Sequence, residues 1–218
     1  MLISMAMNTD KIWVFRIVPI QNLEYILRDG LHCKNACKQD KGFVTIGSKE
    51  IIAQRDTRIV KCYPNTVVND YVPFYFSVRT PMLYNIKTGH GIAASPQKDI
   101  IYLCCKLSEL ATNDFQWCYT NGNASKVITK FYNELYDIDN KLDWRSIETT
   151  DFRDENADGD EDRTRKKHAE FLVKEYVPIN FIKGIALLNQ TIKEQVEKIL
   201  KDFELTIDVK IKPEFYFL

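Results

Sequence analysis

The sequence lacks the features that mark membrane, secreted and duplex-DNA-binding proteins. No apolar run approaches the roughly 20 residues that cross a bilayer, and the N-terminus has no basic start before an apolar segment. We therefore expect no membrane association and a cytoplasmic location. The 30 basic and 30 acidic residues cancel to a formal net charge of +0, so the overall positive charge typical of a dedicated duplex-DNA binder is absent.

The six cysteines form neither a disulfide framework nor a metal finger. They include no CxxC pair and no regular spacing, so we interpret them as free thiols. His32, Cys33 and Cys37 could supply three zinc ligands, but no second cluster follows at the spacing of a metal finger. We expect no metal.

Phosphate loops, GxSxG elbows, internal repeats and Ser/Gly linkers are also missing. One domain over residues 1–218 is therefore the expectation. Strands and helices interleave without regular alternation, which favours an α+β fold. The predicted strands cover residues 12–18, 72–78, 99–107, 115–120, 170–177, 183–188 and 206–212.

Turn signals and apolar spacing predict the helices. One ends at Gly30, one covers residues 48–58, and one has Pro81 in its first turn. Another is expected over 121–138 after turn residues, and a last one begins with a capping box of Thr191 and Glu194.

An acidic segment, DENADGDEDRTR over residues 154–165, begins like a calcium-binding EF-hand loop. Asp154, Asn156 and Asp158 stand at ligand positions, but Arg165 occupies the place of the final bidentate glutamate. An arginine cannot coordinate a cation, so we interpret the segment as a solvated acidic loop.

Glu170 opens the apolar run Phe171, Leu172, Val173, where desolvation of a carboxylate is costly. The residue should therefore face a cleft or a cationic partner, and a structural ion pair with an arginine is the alternative. His168 lies two residues earlier, so on a strand both side chains would point to the same side.

A basic run precedes Glu170. It is either a solvated face or a site for phosphates of a ligand or nucleic acid, and it consists of Arg163, Arg165, Lys166 and Lys167. Aromatic residues that could stack on unpaired bases are Tyr63, Tyr71, Phe74 and Trp117. Most of these aromatics would also suit a core.

Five segments together resemble the DarT family of DNA ADP-ribosyltransferase toxins. They occur in the family's order between about residues 12 and 190, and they are FRIVPIQNLEYILRDGL, IIAQRD, DYVPFYFSVRTPMLY, CYTNGNA and KKHAEFLVKEYVP. The pairing of DYVPFYFSVRTPMLY with a distant AEFLV is the most specific part of the resemblance.

The resemblance implies an ADP-ribosyltransferase-like split mixed β-sheet with surrounding helices, which suits the α+β order. It implies transfer of ADP-ribose from NAD+ to a base in single-stranded DNA with release of nicotinamide. NAD+ would be the co-substrate, and a macrodomain antitoxin of the DarG type would be the cognate partner.

The resemblance also implies site residues. Glu170 matches the catalytic glutamate, and Arg55 in IIAQRD matches an essential arginine that could abstract a proton or orient the base. An arginine is a poor base, since its pKa exceeds about 12. The implied NAD+ contacts are Phe15, Arg16, Ile17, Val18, Asn22 and Arg55, and residues 31–61 would cover the bound dinucleotide.

Arg16 and Val18 depart from the thymidine-modifying branch, and Asn123 stands where some relatives carry histidine, so the resemblance favours the guanosine-modifying branch. The predicted DNA contacts are Asn123, Arg79, Arg165, Lys166, Lys167 and His168. Two other functions compete: a non-enzymatic single-strand nucleic-acid-binding module, and an ADP-ribosyltransferase that acts on protein.

Overall fold

The protein is described by a computed structural model that covers residues 9–36, 38, 42–112 and 114–217. Cys37, one of the three residues considered for zinc, lies outside these residues. Within the described part of the chain, no helix is long and apolar enough to cross a membrane.

Ten strands form in the described residues. They are β1 Trp13–Pro19, β2 Leu31–His32, β3 Tyr71–Tyr75, β4 Ile100–Lys106, β5 Trp117–Thr120, β6 Phe131–Tyr132, β7 Glu170–Lys174, β8 Tyr176–Val177, β9 Gly184–Leu187 and β10 Asp208–Ile211. Eight of them make one sheet in the order β10-β9-β4-β1-β3-β7-β5-β6, and β2 pairs with β8 separately. All pairs are antiparallel except β9 with β10, so the sheet is mixed, as expected.

Helices surround the sheet. Over the same residues they are α1 Leu23–Asp29, α2 Lys49–Thr57, α3 Pro81–Thr88, α4 Leu107–Leu110, α5 Ile138–Lys141, α6 Trp144–Glu148, α7 Arg163–Lys167 and α8 Gln190–Asp202. The apolar stripes of α1 and α8 belong to one core cluster, and that of α3 belongs to a second cluster with Tyr102 and Tyr216. Because the sheet has a core on each face, β4 is buried along almost its whole length.

The sheet is split near its centre. β1 pairs with β4 over seven residues, whereas in the described structure it meets β3 at a single register pair, Phe15 with Tyr75. Beyond that pair the two strands separate, and their polar edges face a cleft. β7 lies on the far side of β3, with Glu170 opposite Tyr75, so the start of β7 is brought to the same cleft.

Three sequence predictions need correction. The helix expected over residues 121–138 is wrong: the segment forms a turn-rich loop, the short strand β6 and only the first residue of α5. The strand expected over 170–177 breaks at Glu175, whose φ of 61° ends β7 and sends β8 to the other sheet. Asn189, rather than Thr191, caps α8, because its side chain accepts a hydrogen bond from Ile192 N at 3.1 Å.

Candidate active site

A cavity of about 530 Å³ opens at the split between β1 and β3. This volume is in the range of sites that hold small ligands and cofactors. Its polar lining includes Arg16 on β1, Arg55 on α2, Tyr75 on β3, and His168 and Glu170 at the start of β7. Residues from distant parts of the chain therefore converge on one space because three neighbouring strands end or separate there.

Glu170 is the buried acid of this cavity, with 2% of its surface exposed. Arg55 Nη1 donates hydrogen bonds to both carboxylate oxygens, at 3.1 Å to Oε1 and 2.9 Å to Oε2. The backbone N–H of Ala124 donates to Oε1 at 2.9 Å. A buried carboxylate is costly unless it is paired and hydrogen-bonded, and both conditions are met here.

Helix α2 positions Arg55. Ser48 caps the helix by accepting a hydrogen bond from Ile51 N at 3.4 Å. Asn69, just before β3, donates to Ile52 O at 2.9 Å and to Asp56 Oδ1 at 2.5 Å. These bonds fix a surface helix against the sheet, so that the Arg55 side chain is 12% exposed and reaches Glu170 from across the cavity.

Arg16 places a second cation in the cavity wall. Its Nη1 donates to Pro73 O at 2.9 Å, whereas its buried Nε has no hydrogen-bond partner among the described residues. Burial lowers the pKa of Arg16 to about 10, so the guanidinium is still charged at neutral pH. An unsatisfied buried donor on a cation favours an anionic ligand.

Tyr75 and His168 complete the polar wall, with ring centroids 6.1 Å apart. Burial, and then the charge of Glu170, raises the pKa of Tyr75, so its hydroxyl is neutral. Burial lowers the pKa of His168 below its ordinary value of 6.5. The Nδ1 atom of His168 lies 3.0 Å from Thr164 O. Since a carbonyl oxygen only accepts, Nδ1 carries the proton and Nε2 is left as an acceptor.

The loop between β5 and β6, residues 121–130, contributes Asn123 to the cavity wall and supplies the Ala124 N–H. Two arginines brace it. Arg165 donates from Nη1 to Asn121 O at 3.1 Å and to Thr129 Oγ1 at 3.2 Å. Arg58 Nη2 donates to the backbone oxygens of Lys126 at 2.9 Å and of Val127 at 3.1 Å. We name this segment the braced loop.

The chain is similar to proteins of one known family. The family model described as "ssDNA thymidine ADP-ribosyltransferase, DarT" matches residues 15–217. A DNA ADP-ribosyl transferase of Escherichia coli O127:H6 (strain E2348/69 / EPEC) is 32% identical over 215 residues, which are 98% of this chain and 97% of the relative. The chain belongs to the DarT family of DNA ADP-ribosyltransferases.

Solved DarT structures have the same fold. Thermus sp. 2.9 DarT in complex with ADP-ribosylated ssDNA superposes with a TM-score of 0.84 at 30% identity, over 94% of this chain and 96% of that chain. Thermus sp. 2.9 DarT in complex with NAD+ gives a TM-score of 0.81 at 28% identity, over 94% and 97%. The expected ADP-ribosyltransferase fold is confirmed.

The predicted NAD+ contacts of this DarT chain divide into two groups. Arg16, Ile17, Val18 and Asn22 line the cavity together with Arg55, whereas Phe15 packs edge-on against Tyr102 and Phe215. The side chain of Asn22 exchanges two hydrogen bonds of 2.8 Å with the backbone of Val44. Asn22 therefore ties the segment 43–48, which lines the cavity, to the start of α1.

The basic run before Glu170 was expected to be either a solvated face or a phosphate site, and its environment in the structure differs from both. Arg163 and Lys167 are buried, at 6% and 2% exposure. Lys167 donates to Ile147 O at 2.5 Å, and burial lowers its pKa to about 8. Lys166 pairs with Asp160 at 2.8 Å. These cations meet protein acceptors: the acidic segment folds back on Arg163 and Lys166, and α6 supplies the acceptor of Lys167.

The same contacts account for the segment that begins like an EF-hand. Asp158 pairs with Arg163 and with Arg145, the latter at 2.6 Å, and Asp162 pairs with Arg165 at 2.5 Å. Asp158, Asp160 and Asp162 are thus bound to arginine and lysine, and Asp154 Oδ1 accepts a hydrogen bond from Thr164 N at 2.7 Å. In the described residues, no group of three or more His, Cys, Asp and Glu side chains could hold a metal ion.

Arg79 lies away from the cavity wall. Its Nε donates to Glu214 O at 2.6 Å, and its φ of 51° places it at a strained turn after β3. Sequence reasoning missed the roles of Arg58 and the Ala124 N–H. The Asn121–Gly122 turn is a sequence signal for a loop here, whereas the apolar residues that follow it favour a helix.

Proposed function

We propose that this chain is an NAD+-dependent mono-ADP-ribosyltransferase that modifies a base in single-stranded DNA, with residues 1–218 acting as one catalytic domain. The observation that carries the proposal is a buried glutamate, Glu170, held by Arg55 and the Ala124 N–H at the end of a cavity in a DarT-family chain. NAD+ is the co-substrate.

The residues of the cavity suit a dinucleotide. Arg16 and Arg55 place two guanidinium groups in a space of about 530 Å³, and guanidinium groups are suited to bidentate recognition of phosphate oxygens. The segment 43–48, tied down by Asn22, closes one side of the cavity. Arg16 and Arg55 would hold the pyrophosphate, and the Asn22-anchored segment would exclude water.

The chemistry requires a carboxylate near the ribose. Cleavage of a bond between a sugar and its leaving group develops positive, oxocarbenium-like charge on the sugar, which a fixed carboxylate stabilises. Glu170 performs this role because Arg55 Nη1 binds both of its oxygens and the Ala124 N–H binds Oε1, which together fix the carboxylate. Arg55 orients the carboxylate and does not act as a base, since its Nη1 donates both hydrogen bonds.

The attacking base must also lose a proton. His168 offers a neutral imidazole in the cavity wall whose Nε2 is free to accept, because Nδ1–H is directed to Thr164 O. His168 stands two residues from Glu170, on the same polypeptide turn into β7. We assign proton acceptance to His168 and charge stabilisation to Glu170.

Two bases are candidates. Guanine is favoured by Arg16, Val18 and Asn123, which depart from the pattern of the thymidine-modifying branch. Thymine is favoured by the description of the family model that the chain matches. Asn123 Oδ1 accepts from Ser125 N at 3.0 Å and Oγ at 2.8 Å, so the cavity wall presents the Asn123 amide as a donor.

The decisive experiment incubates the protein with NAD+ and single-stranded oligonucleotides in which one guanine or one thymine is set in an otherwise identical strand. The expected result is a mass increase of one ADP-ribosyl group on one strand, with release of one nicotinamide per modification. Modification of the thymine strand alone would contradict the guanine assignment. Absence of any modified DNA would overturn the proposed function.

The two competing functions give other outcomes. A non-enzymatic binding module would bind the oligonucleotide with an affinity independent of NAD+ and release no nicotinamide. A protein-modifying transferase would label protein in a nuclease-treated extract, whereas the proposed DNA transferase would lose its labelled product on nuclease treatment.

A macrodomain partner of the DarG type and a cytoplasmic location belong to the same proposal, and both stay predictions. The partner is expected to remove the modification. Incubating the modified oligonucleotide with a macrodomain hydrolase should restore the unmodified mass, and a modification that resists it would contradict this part of the proposal.

A further inference from the structure

The tip of the braced loop exposes two adjacent apolar side chains. Val127 is 82% exposed and Ile128 is 67% exposed, more than most other large apolar residues in the described chain. A single exposed apolar residue needs no explanation. Two adjacent exposed apolar residues, at the tip of a loop that forms part of the active-site wall, indicate that the tip contacts another molecule.

This tip is held firmly. Arg58 Nη2 donates hydrogen bonds to the backbone oxygens of Lys126 and Val127, at 2.9 and 3.1 Å, which lie before and after the Cα of Val127. Thr129 Oγ1 donates to Asn123 O at 2.7 Å across its base. The fold therefore holds two apolar side chains out in water, which gives a pre-organised contact surface.

The tip is continuous with the cavity and is flanked by positive charge. Asn123 lines the cavity, four residues before Val127. Lys126 and Lys130 are exposed on either side of the tip. An apolar point between two cations suits a strand of unpaired nucleotides, whose base faces are apolar and whose phosphates are negative.

We propose that Val127 and Ile128 form a wedge that packs against the base next to the target nucleotide and separates the two bases. The inference rests on the proposed function, because it takes single-stranded DNA as the occupant. Apolar side chains inserted at base steps are a known means of unstacking. Separation would leave the target base free to enter the cavity, while Lys126 and Lys130 would contact the backbone phosphates.

The test measures binding and transfer with the full chain. A double variant, Val127→Ser with Ile128→Ser, is compared with Ile211→Ser, which alters an apolar side chain of 39% exposure on β10, at the opposite edge of the sheet. We expect the double variant to raise the KM for the oligonucleotide about tenfold, as for loss of one stacked base. The KM for NAD+ should change much less, and Ile211→Ser should change neither.

A modified substrate separates a wedge from a merely structural effect. An oligonucleotide with an abasic site next to the target offers no base for the wedge. The wild-type protein should therefore bind this abasic strand as weakly as the double variant binds the intact strand. With 2-aminopurine at that position, wild-type binding should raise the fluorescence through unstacking, and the double variant should not. A deficit of the double variant that persists at full size on the abasic strand would overturn the proposal.

If the wild-type protein modifies DNA but the double variant retains its KM and its fluorescence signal, the wedge is wrong and the proposed function stands. If the wild-type protein modifies no DNA, the proposed function itself fails. The two failures are therefore distinguishable.

Discussion

Two arginines, Arg55 and Arg165, have the same side-chain exposure, 12%, and each pairs with a carboxylate. Arg55 meets Glu170, which is 2% exposed, and uses Nη1 for that contact while its side chain lines the cavity. Arg165 meets Asp162, which is 38% exposed, and uses Nε, Nη1 and Nη2 in contacts with protein atoms. One pair faces a ligand space and the other faces the backbone of a loop.

Charge and burial therefore do not by themselves identify a functional arginine. A functional arginine is distinguished by the direction of the guanidinium donors that do not bind its carboxylate partner. Arg165 directs Nη1 to the braced loop and Nε and Nη2 to Asp162, so it acts on Glu170 indirectly, through the Ala124 N–H. Arg55 touches the carboxylate directly. Glu170→Gln, Gly122→Ala and Arg165→Lys test this distinction, and their expected effects decrease in that order.

Glu170→Gln should give the largest effect. The substitution removes the charge that stabilises the sugar cation while keeping the size of the side chain, so the rate of transfer should fall by about 10²–10³-fold or more. Nicotinamide release and oligonucleotide mass report the change. Glu109→Gln is the matched control, since Glu109 is also paired, with Lys183 at 2.8 Å, but is 41% exposed. Equal losses of transfer rate in both variants would contradict the role assigned to Glu170.

Gly122→Ala should come next, because a Cβ at Gly122 would overlap the Arg165 guanidinium and lie 2.9 Å from Arg165 O. The braced loop must shift, which moves the Ala124 N–H away from Glu170. We expect a loss of about 1–3 kcal/mol in the free energy of unfolding and roughly 10²-fold slower transfer. Gly184→Ala is the control.

At Gly184 the nearest atom to an added Cβ is Asp208 O at 3.4 Å, an ordinary contact. Denaturant unfolding and single-turnover transfer rates would compare the two variants. A Gly122→Ala protein that matches the wild type in both measurements would show that the loop does not depend on this close approach.

Arg165→Lys should have a smaller effect, of roughly tenfold on kcat, because one ammonium cannot replace the fork that joins Asp162 to the braced loop. Asp162→Asn should lower kcat in the same direction. If Arg165 braces the loop, the dependence of DNA affinity on salt should keep its slope. A slope reduced by about 1 for Arg165→Lys would instead indicate a direct phosphate contact.

The change of folding stability with pH, which we attribute to His168, should be the smallest effect. Removal of the proposed proton acceptor acts on the transfer rate, which this stability measurement does not report. Burial lowers its pKa in the folded state below 6.5, so below pH 6.5 the unfolded chain binds more protons than the folded chain. The free energy of unfolding should therefore fall as the pH drops below about 6.5. Above that pH the contribution of the neutral imidazole to stability should be complete. His168→Gln should flatten this slope in denaturant unfolding at several pH values.

The exposed His90 provides the comparison for that experiment. His90→Gln should leave the slope of stability against pH in place. The same flattening in both variants would mean that the slope does not report the His168 imidazole.

Much of the fold could be predicted because its signals are local. The apolar run of β4, the proline at the start of α3 and the glycine after α1 each indicated an element that the structure contains. The helix prediction for residues 121–138 is wrong because Val127 and Ile128 are apolar without being buried. An apolar pattern predicts a helix correctly only when the apolar residues face a core.

The candidate site divides in the same way. Glu170 could be found because a charge at the head of a buried strand is conspicuous, and Arg55 followed from a family motif. The sequence could not show that the acidic segment neutralises the basic run. Asp158, Asp160 and Asp162 could have faced solvent or a cation, and the choice depends on how the chain folds back.

The α+β order, the family and the glutamate proposed for the chemistry could all be inferred from short segments, because strand patterns, motifs and the cost of a buried charge are local properties. The partner of each arginine followed only from the folded arrangement of the chain. Arg55 and Glu170 stand 115 residues apart, and Arg165 and Asn121 stand 44 apart. Such pairings depend on the split between β1 and β3 and on the path of the braced loop, because an ion pair forms only where the fold brings its partners within a few ångströms.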